Sequence, residues 1–265
     1  MSAPILHGEK LAHARLSVRA MGWLGFYGAV LAAWIAVALM ARDMPGAELK
    51  SVPSEFWAAL CISAGQAQPL ALWTMWALMA AAMMLPTFVP ALRTFVDLSA
   101  AGATTGTGAA ALVGGYLVVW LGGAVLGATA QWTLARAGAL TPFGASLSPW
   151  LTATLLVGAG LYQFSALKHA CLSRCRMPLT FFMQHWRPGA PVAFGMGLRL
   201  GALCFGCCWA LMGLGFIGGT MNLIWMGAAT VFMTIEKLPE IGRWLTRPSG
   251  WALIIAGGAV ALRAI

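Results

Sequence analysis

The sequence predicts an all-α, polytopic transmembrane helical bundle of about seven spans, and two observations carry that prediction. Hydrophobic residues make up 60% of the chain and charged ones 9%, against roughly a quarter charged in an ordinary globular chain. Mean hydropathy is +0.82, and several windows of about 20 residues, the length needed to cross a bilayer core, carry no charge. The chain has 265 residues and reads as a single integral membrane domain, 1–265, with no separable soluble module.

The elements follow in order. Residues 1–20 form a basic segment with Lys10, Arg15 and Arg19, followed by an apolar run from about Trp23 to Met40. That run is longer than the core of a signal peptide, and Ala38-Leu-Met40 is a poor cleavage site, so it reads as an uncleaved first span. Residues 41–69 are polar, with a short interfacial helix expected near Ser54–Cys61. The second span, Leu70 to Leu92, contains Met83, Met84, Pro86 and Pro90. Residues 99–110 read as a Gly/Thr-rich loop. The third span, Ala111 to Leu134, has glycines at 114, 115, 122, 123 and 127 that suit close helix packing. A fourth span runs from Trp150 to Leu167, a fifth from Pro191 to Ile217, a sixth from Met221 to Ile235 and a short seventh from Trp251 to Leu262. Gly218-Gly219-Thr220 is the turn between the fifth and sixth.

The formal charge of +9 lies in short connections rather than on an exposed basic face, which argues against nucleic acid as a partner. Lys and Arg number three, one, four and three in segments 1–20, 93–110, 168–190 and 236–248, but two, one, none and one in the alternate segments. The positive-inside rule therefore sets the N-terminus in the cytoplasm and the C-terminus outside, in a multi-pass protein of the inner (cytoplasmic) membrane.

Five of the six cysteines fall in two groups, Cys171 and Cys175, then Cys204, Cys207 and Cys208. Each group has helical spacing that places its sulfurs on one side. Thiolates, with the neighbouring imidazole of His169, suit a soft metal, copper first and zinc second. A cytoplasmic position keeps such thiols reduced. Cys61 reads as ordinary packing. Met83 and Met84 are accessory candidates as thioether donors. Lys168, Arg199 and Glu236 are candidates because ionisable groups in or beside a span are expensive there; Glu236 is expected to pair with Arg199 or Lys168. Pro178 and the apolar residues after it give the 168–180 segment a reason to fold back toward the fifth span, so the two cysteine groups are expected to share or adjoin one site.

These residues also carry a resemblance. Met83–Pro86, Tyr162–Leu179, Gly201–Met212, Gly219–Met226 and Glu236–Leu238 resemble the motifs of a bacterial family of predicted metal-binding integral membrane proteins. The likeness covers roughly residues 70–260 and implies metal binding without specifying a reaction. Ser165 departs from it, standing where that family shows proline, which bears on the bend at this point.

No P-loop, HExxH, GxSxG or nucleotide fingerprint is present, so the sequence favours neither an enzyme nor an energy-driven pump. The leading expectation is a membrane protein that binds copper and assists its delivery, with the lipid bilayer and a metal donor or acceptor protein as partners. An intramembrane thiol-disulfide oxidoreductase using Cys204-x-x-Cys207 is the second expectation. A structural or assembly subunit with incidental thiols is the third.

Overall fold

The computed structural model describes residues 5–42, 69–100 and 106–265. Within these the chain forms α1 (Ile5–Arg42), α2 (Pro69–Ala100), α3 (Gly106–Arg136), α4 (Pro149–Gln163), α5 (Ala166–Arg176), α6 (Pro178–His185), α7 (Ala190–Gly213), α8 (Gly215–Gly218), α9 (Leu223–Glu236) and α10 (Gly242–Leu262). The interfacial helix expected at Ser54–Cys61, and Cys61 itself, lie outside the described residues.

Five stretches are long and apolar enough to cross a bilayer: Arg19–Ala41, Pro69–Ser99, Thr107–Arg136, Ala190–Gly218 and Gly242–Leu262. The pair α4 and α5, bent by 62°, makes a sixth if taken together. The expected sixth span is a helix of 14 residues, α9. At 1.5 Å per residue that is ~21 Å, short of the ~30 Å hydrocarbon layer.

The fourth apolar run was expected to continue straight through Leu167, but the helix breaks at Phe164 and Ser165. The bend forms with serine at position 165. Its backbone is extended, and its hydroxyl accepts from Lys168 N at 3.1 Å, capping the start of α5. The basic connection 168–190 is accordingly built from α5 and α6.

Close approach of α3 and α7 holds the centre of the bundle. A Cβ on Gly115 would sit 2.9 Å from Leu198 N, and one on Gly197 would sit 3.0 Å from the Leu112 carbonyl carbon. Each glycine thus admits the other helix's backbone. Gly201, one turn after Gly197, faces the Tyr116 carbonyl in the same way. Of the other glycines in α3, Gly123 and Gly127 receive the rings of Phe205 and Trp76, while Gly122 faces open space. Gly219, with φ +92°, makes the tight turn between α8 and α9, and Asn222 caps α9 by accepting from the backbone of Ile224 and Trp225.

Candidate metal centre

Cys204, Cys207 and Cys208 lie on one face of α7 and are buried to between 1% and 3% exposure. Their three sulfurs all fall within 4.8 Å of one another. Cys207 and Cys208 approach to 3.3 Å, and Cys207 Sγ donates to the Cys204 carbonyl at 3.1 Å. Three soft donors this close can converge on one soft ion without a change of helix geometry.

A ring of polar groups surrounds Cys204. Lys237, which caps the C-terminus of α9, donates from Nζ to Cys204 Sγ at 3.0 Å and to Thr87 Oγ1 at 2.7 Å. Thr87 in turn donates to the Met84 carbonyl at 2.9 Å. The Tyr116 hydroxyl donates to that same carbonyl at 3.1 Å and lies 3.0 Å from Cys204 Sγ. An ammonium against the sulfur offsets the charge of a thiolate, the form that binds metal. A cavity of about 90 Å³ opens beside this ring, with Thr87, Tyr116, Cys175, Arg176, Cys204 and Lys237 in its wall.

The first cysteine group reaches the second across α5 and α7. Cys171 Sγ sits over Gly206, 2.8 Å from where a Cβ would be, so only glycine leaves room for that sulfur. Cys175 shares a cavity wall with Cys204, and Tyr162 donates its hydroxyl to the Gly206 carbonyl. The expected fold-back of this segment is therefore present. It arises at the Ser165 bend, upstream of Pro178.

The remaining candidates divide. Glu236 pairs with Lys168 at 2.8 Å, both side chains 1% exposed; its second oxygen, Oε1, is buried without a hydrogen-bond partner among the described residues. Arg176 fastens this corner by donating to the Glu236 carbonyl at 3.0 Å and to Thr246 Oγ1 at 3.2 Å. Arg199 is not the partner of Glu236. It lies on the exposed face of α7 and forms no ion pair among the described residues. His169 is also exposed, on the side of α5 away from Lys168 and Cys171, and is not among the clustered donors. Met83 and Met84, adjacent in sequence, face different ways: Met83 lines a small second cavity, whereas Met84 lies beneath Thr87.

Sequence reasoning missed Lys237, Tyr116 and Thr87 as neighbours of the thiols. One signal was available: the chain has only three tyrosines, and a phenol in an apolar helix needs a partner when buried.

The fold and the cluster together define an all-helical soft-metal-binding protein. Residues 73–260 match the family described as PpoB2, copper chaperone, and the chain belongs to that family. No curated protein and no solved structure matches the chain.

Proposed function

We propose that the protein is an integral membrane copper chaperone that holds Cu(I) at Cys204, Cys207 and Cys208 and passes it to a partner by ligand exchange. The observation that carries this reading is the buried cluster of three sulfurs within 4.8 Å of one another. Two thiolates on Cu(I) leave one net negative charge, and the ammonium of Lys237 offsets one. Structural zinc normally takes four ligands closed in a tetrahedron, which these three sulfurs alone do not supply.

Cys175 adjoins the cluster as the exchange side, and Cys171 packs over Gly206 beside it. Cys175 shares the 90 Å³ cavity with Cys204, so an incoming ligand can reach both α5 and α7 there. In this reading the whole chain is one membrane domain in the inner membrane. Its N-terminus is cytoplasmic, and the Arg176–Lys237 end of the bundle faces the cytoplasm, following the distribution of Lys and Arg. The thiol-disulfide alternative draws on the 3.3 Å approach of Cys207 and Cys208. However, Cys204-x-x-Cys207 lies in mid-helix, away from the helix start where a redox pair is exposed and activated.

Metal analysis of the detergent-purified protein tests the reading. Wild type loaded with Cu(I) should retain copper through desalting, and a Cys204→Ser/Cys207→Ser variant should not. Equal retention by both would refute it. Thiol labelling of intact cells tests the orientation: a cysteine introduced beside Arg187 should be shielded from a membrane-impermeant reagent.

A further inference from the structure

The soft side chains continue beyond the cysteines. On α7, Cys204, Cys208 and Met212 recur every fourth residue, which stacks them along one stripe. On α2, Met75, Met79 and Met83 do the same and lead to Thr87, the acceptor of Lys237. The two stripes end at one small cavity of about 10 Å³, with Met79, Met83, Met212, Met226 and Thr220 in its wall. Met79, Met83 and Met226 are 3%, 3% and 2% exposed. Thr220 is fully buried, and its hydroxyl lies against Gly144.

We propose that this cavity is a second Cu(I) station, formed by the thioethers of Met79, Met83, Met212 and Met226, to which the cysteine cluster hands its ion. The inference rests on the cysteine cluster being a Cu(I) site. Four methionines from three helices line a space that admits a single small particle, on the order of one water. Water is a poor occupant, because it needs two to four polar partners and the wall is mostly apolar. A monovalent soft cation accepts thioether sulfur. Thioethers are neutral and do not protonate, and they select Cu(I) over zinc. They also bind copper less tightly than thiolates, so such a station suits release.

The test uses the full-length protein in detergent, titrated with Cu(I) against a chromophoric Cu(I) chelator and, in parallel, with Zn(II). The variant Met79→Leu/Met83→Leu/Met212→Leu/Met226→Leu conserves volume and apolarity, so its packing is preserved; a melting curve verifies the fold. Wild type should hold one Cu(I) more than this variant, with no difference in Zn(II). A Cys204→Ser/Cys207→Ser/Cys208→Ser variant should retain the thioether-held ion. Equal Cu(I) counts in wild type and the leucine variant would overturn the methionine station and leave the cysteine reading standing. A cysteine variant that keeps all its copper, beside a leucine variant that loses one ion, would uphold the station and sink the cysteine reading.

Discussion

Lys237 Nζ lies 3.0 Å from Cys204 Sγ, bringing the cap of α9 against a thiol in the middle of α7. The contact joins positions 33 residues apart and gives the cysteine cluster a fixed cation. Replacing Lys237 by Met keeps most of the aliphatic stem and removes the charge. A hydrogen bond to a charged group contributes about 1.5–3 kcal/mol, so Lys237→Met should weaken Cu(I) binding by roughly ten- to a hundredfold. Lys237→Arg should recover part of the loss. Competition with a chromophoric Cu(I) chelator measures both. Unchanged affinity in Lys237→Met would mean that the ammonium serves packing alone.

The Lys168–Glu236 pair predicts a different pattern, in stability rather than in copper affinity. Removing one partner of a buried ion pair strands the other charge and costs about 3–5 kcal/mol. Lys168→Met and Glu236→Gln should each lower the melting temperature sharply, and the double variant should be less destabilised than the two losses added together. Arg199→Leu, on an exposed face, should melt like wild type. A double variant showing the full sum would argue that the two residues act independently.

These two contacts show where sequence reading stops. Helical spacing along one chain segment was enough to place Cys204, Cys207 and Cys208 on a common face, and Cys171 with Cys175 on another. That the 168–180 segment folds back toward α7 was expected from Pro178, whereas the bend that does it lies at Ser165. Which cation meets which group could not be read, because that depends on how separate helices cross. Arg199 looked buried because it interrupts an apolar run, yet its direction on α7 faces outward. Lys168 and His169 are neighbours in sequence, and the 100° step between them sends one into the bundle and the other out. Lys237 caps the C-terminus of α9; only the approach of α9 to α2 and α7 makes it a thiol's partner as well.

The glycine seam between α3 and α7 predicts a loss of copper binding without any change to a ligand. A Cβ on Gly197 would meet the Leu112 carbonyl group and lie 3.1 Å from Tyr116 N. Backbone cannot yield as a flexible side chain does, so Gly197→Ala must push α3 away and carry Tyr116 off Cys204. Melting should fall, and Cu(I) affinity should fall in variants that remain folded. Gly122→Ala faces open space on the same helix as Tyr116 and serves as the control; it should change neither. A Gly197→Ala protein with wild-type melting and affinity would show that the seam has slack.

Cooperation between the two cysteine groups gives the most discriminating experiment, and Gly206 makes it possible. Cys171 sulfur occupies the space beside Gly206, while Cys175 lines the cavity beside Cys204. Cys207→Ser should remove the ion from the cluster, since it takes away one of three converging sulfurs. Cys175→Ser should slow the exchange of copper with an external thiol and leave equilibrium binding less affected, because Cys175 lines the cavity and stands outside the three-sulfur cluster. Cys171→Ser should leave copper content near wild type, as its sulfur is spent on packing over Gly206. Gly206→Ala places a methyl where that sulfur sits and should force α5 from α7. It should therefore reproduce the Cys175→Ser exchange defect even though every sulfur remains. Copper counting with a chromophoric chelator, together with stopped-flow transfer to a small thiol, separates these effects. If Cys171→Ser abolishes binding as fully as Cys207→Ser, the two groups hold one ion jointly and the division into cluster and exchange side is wrong.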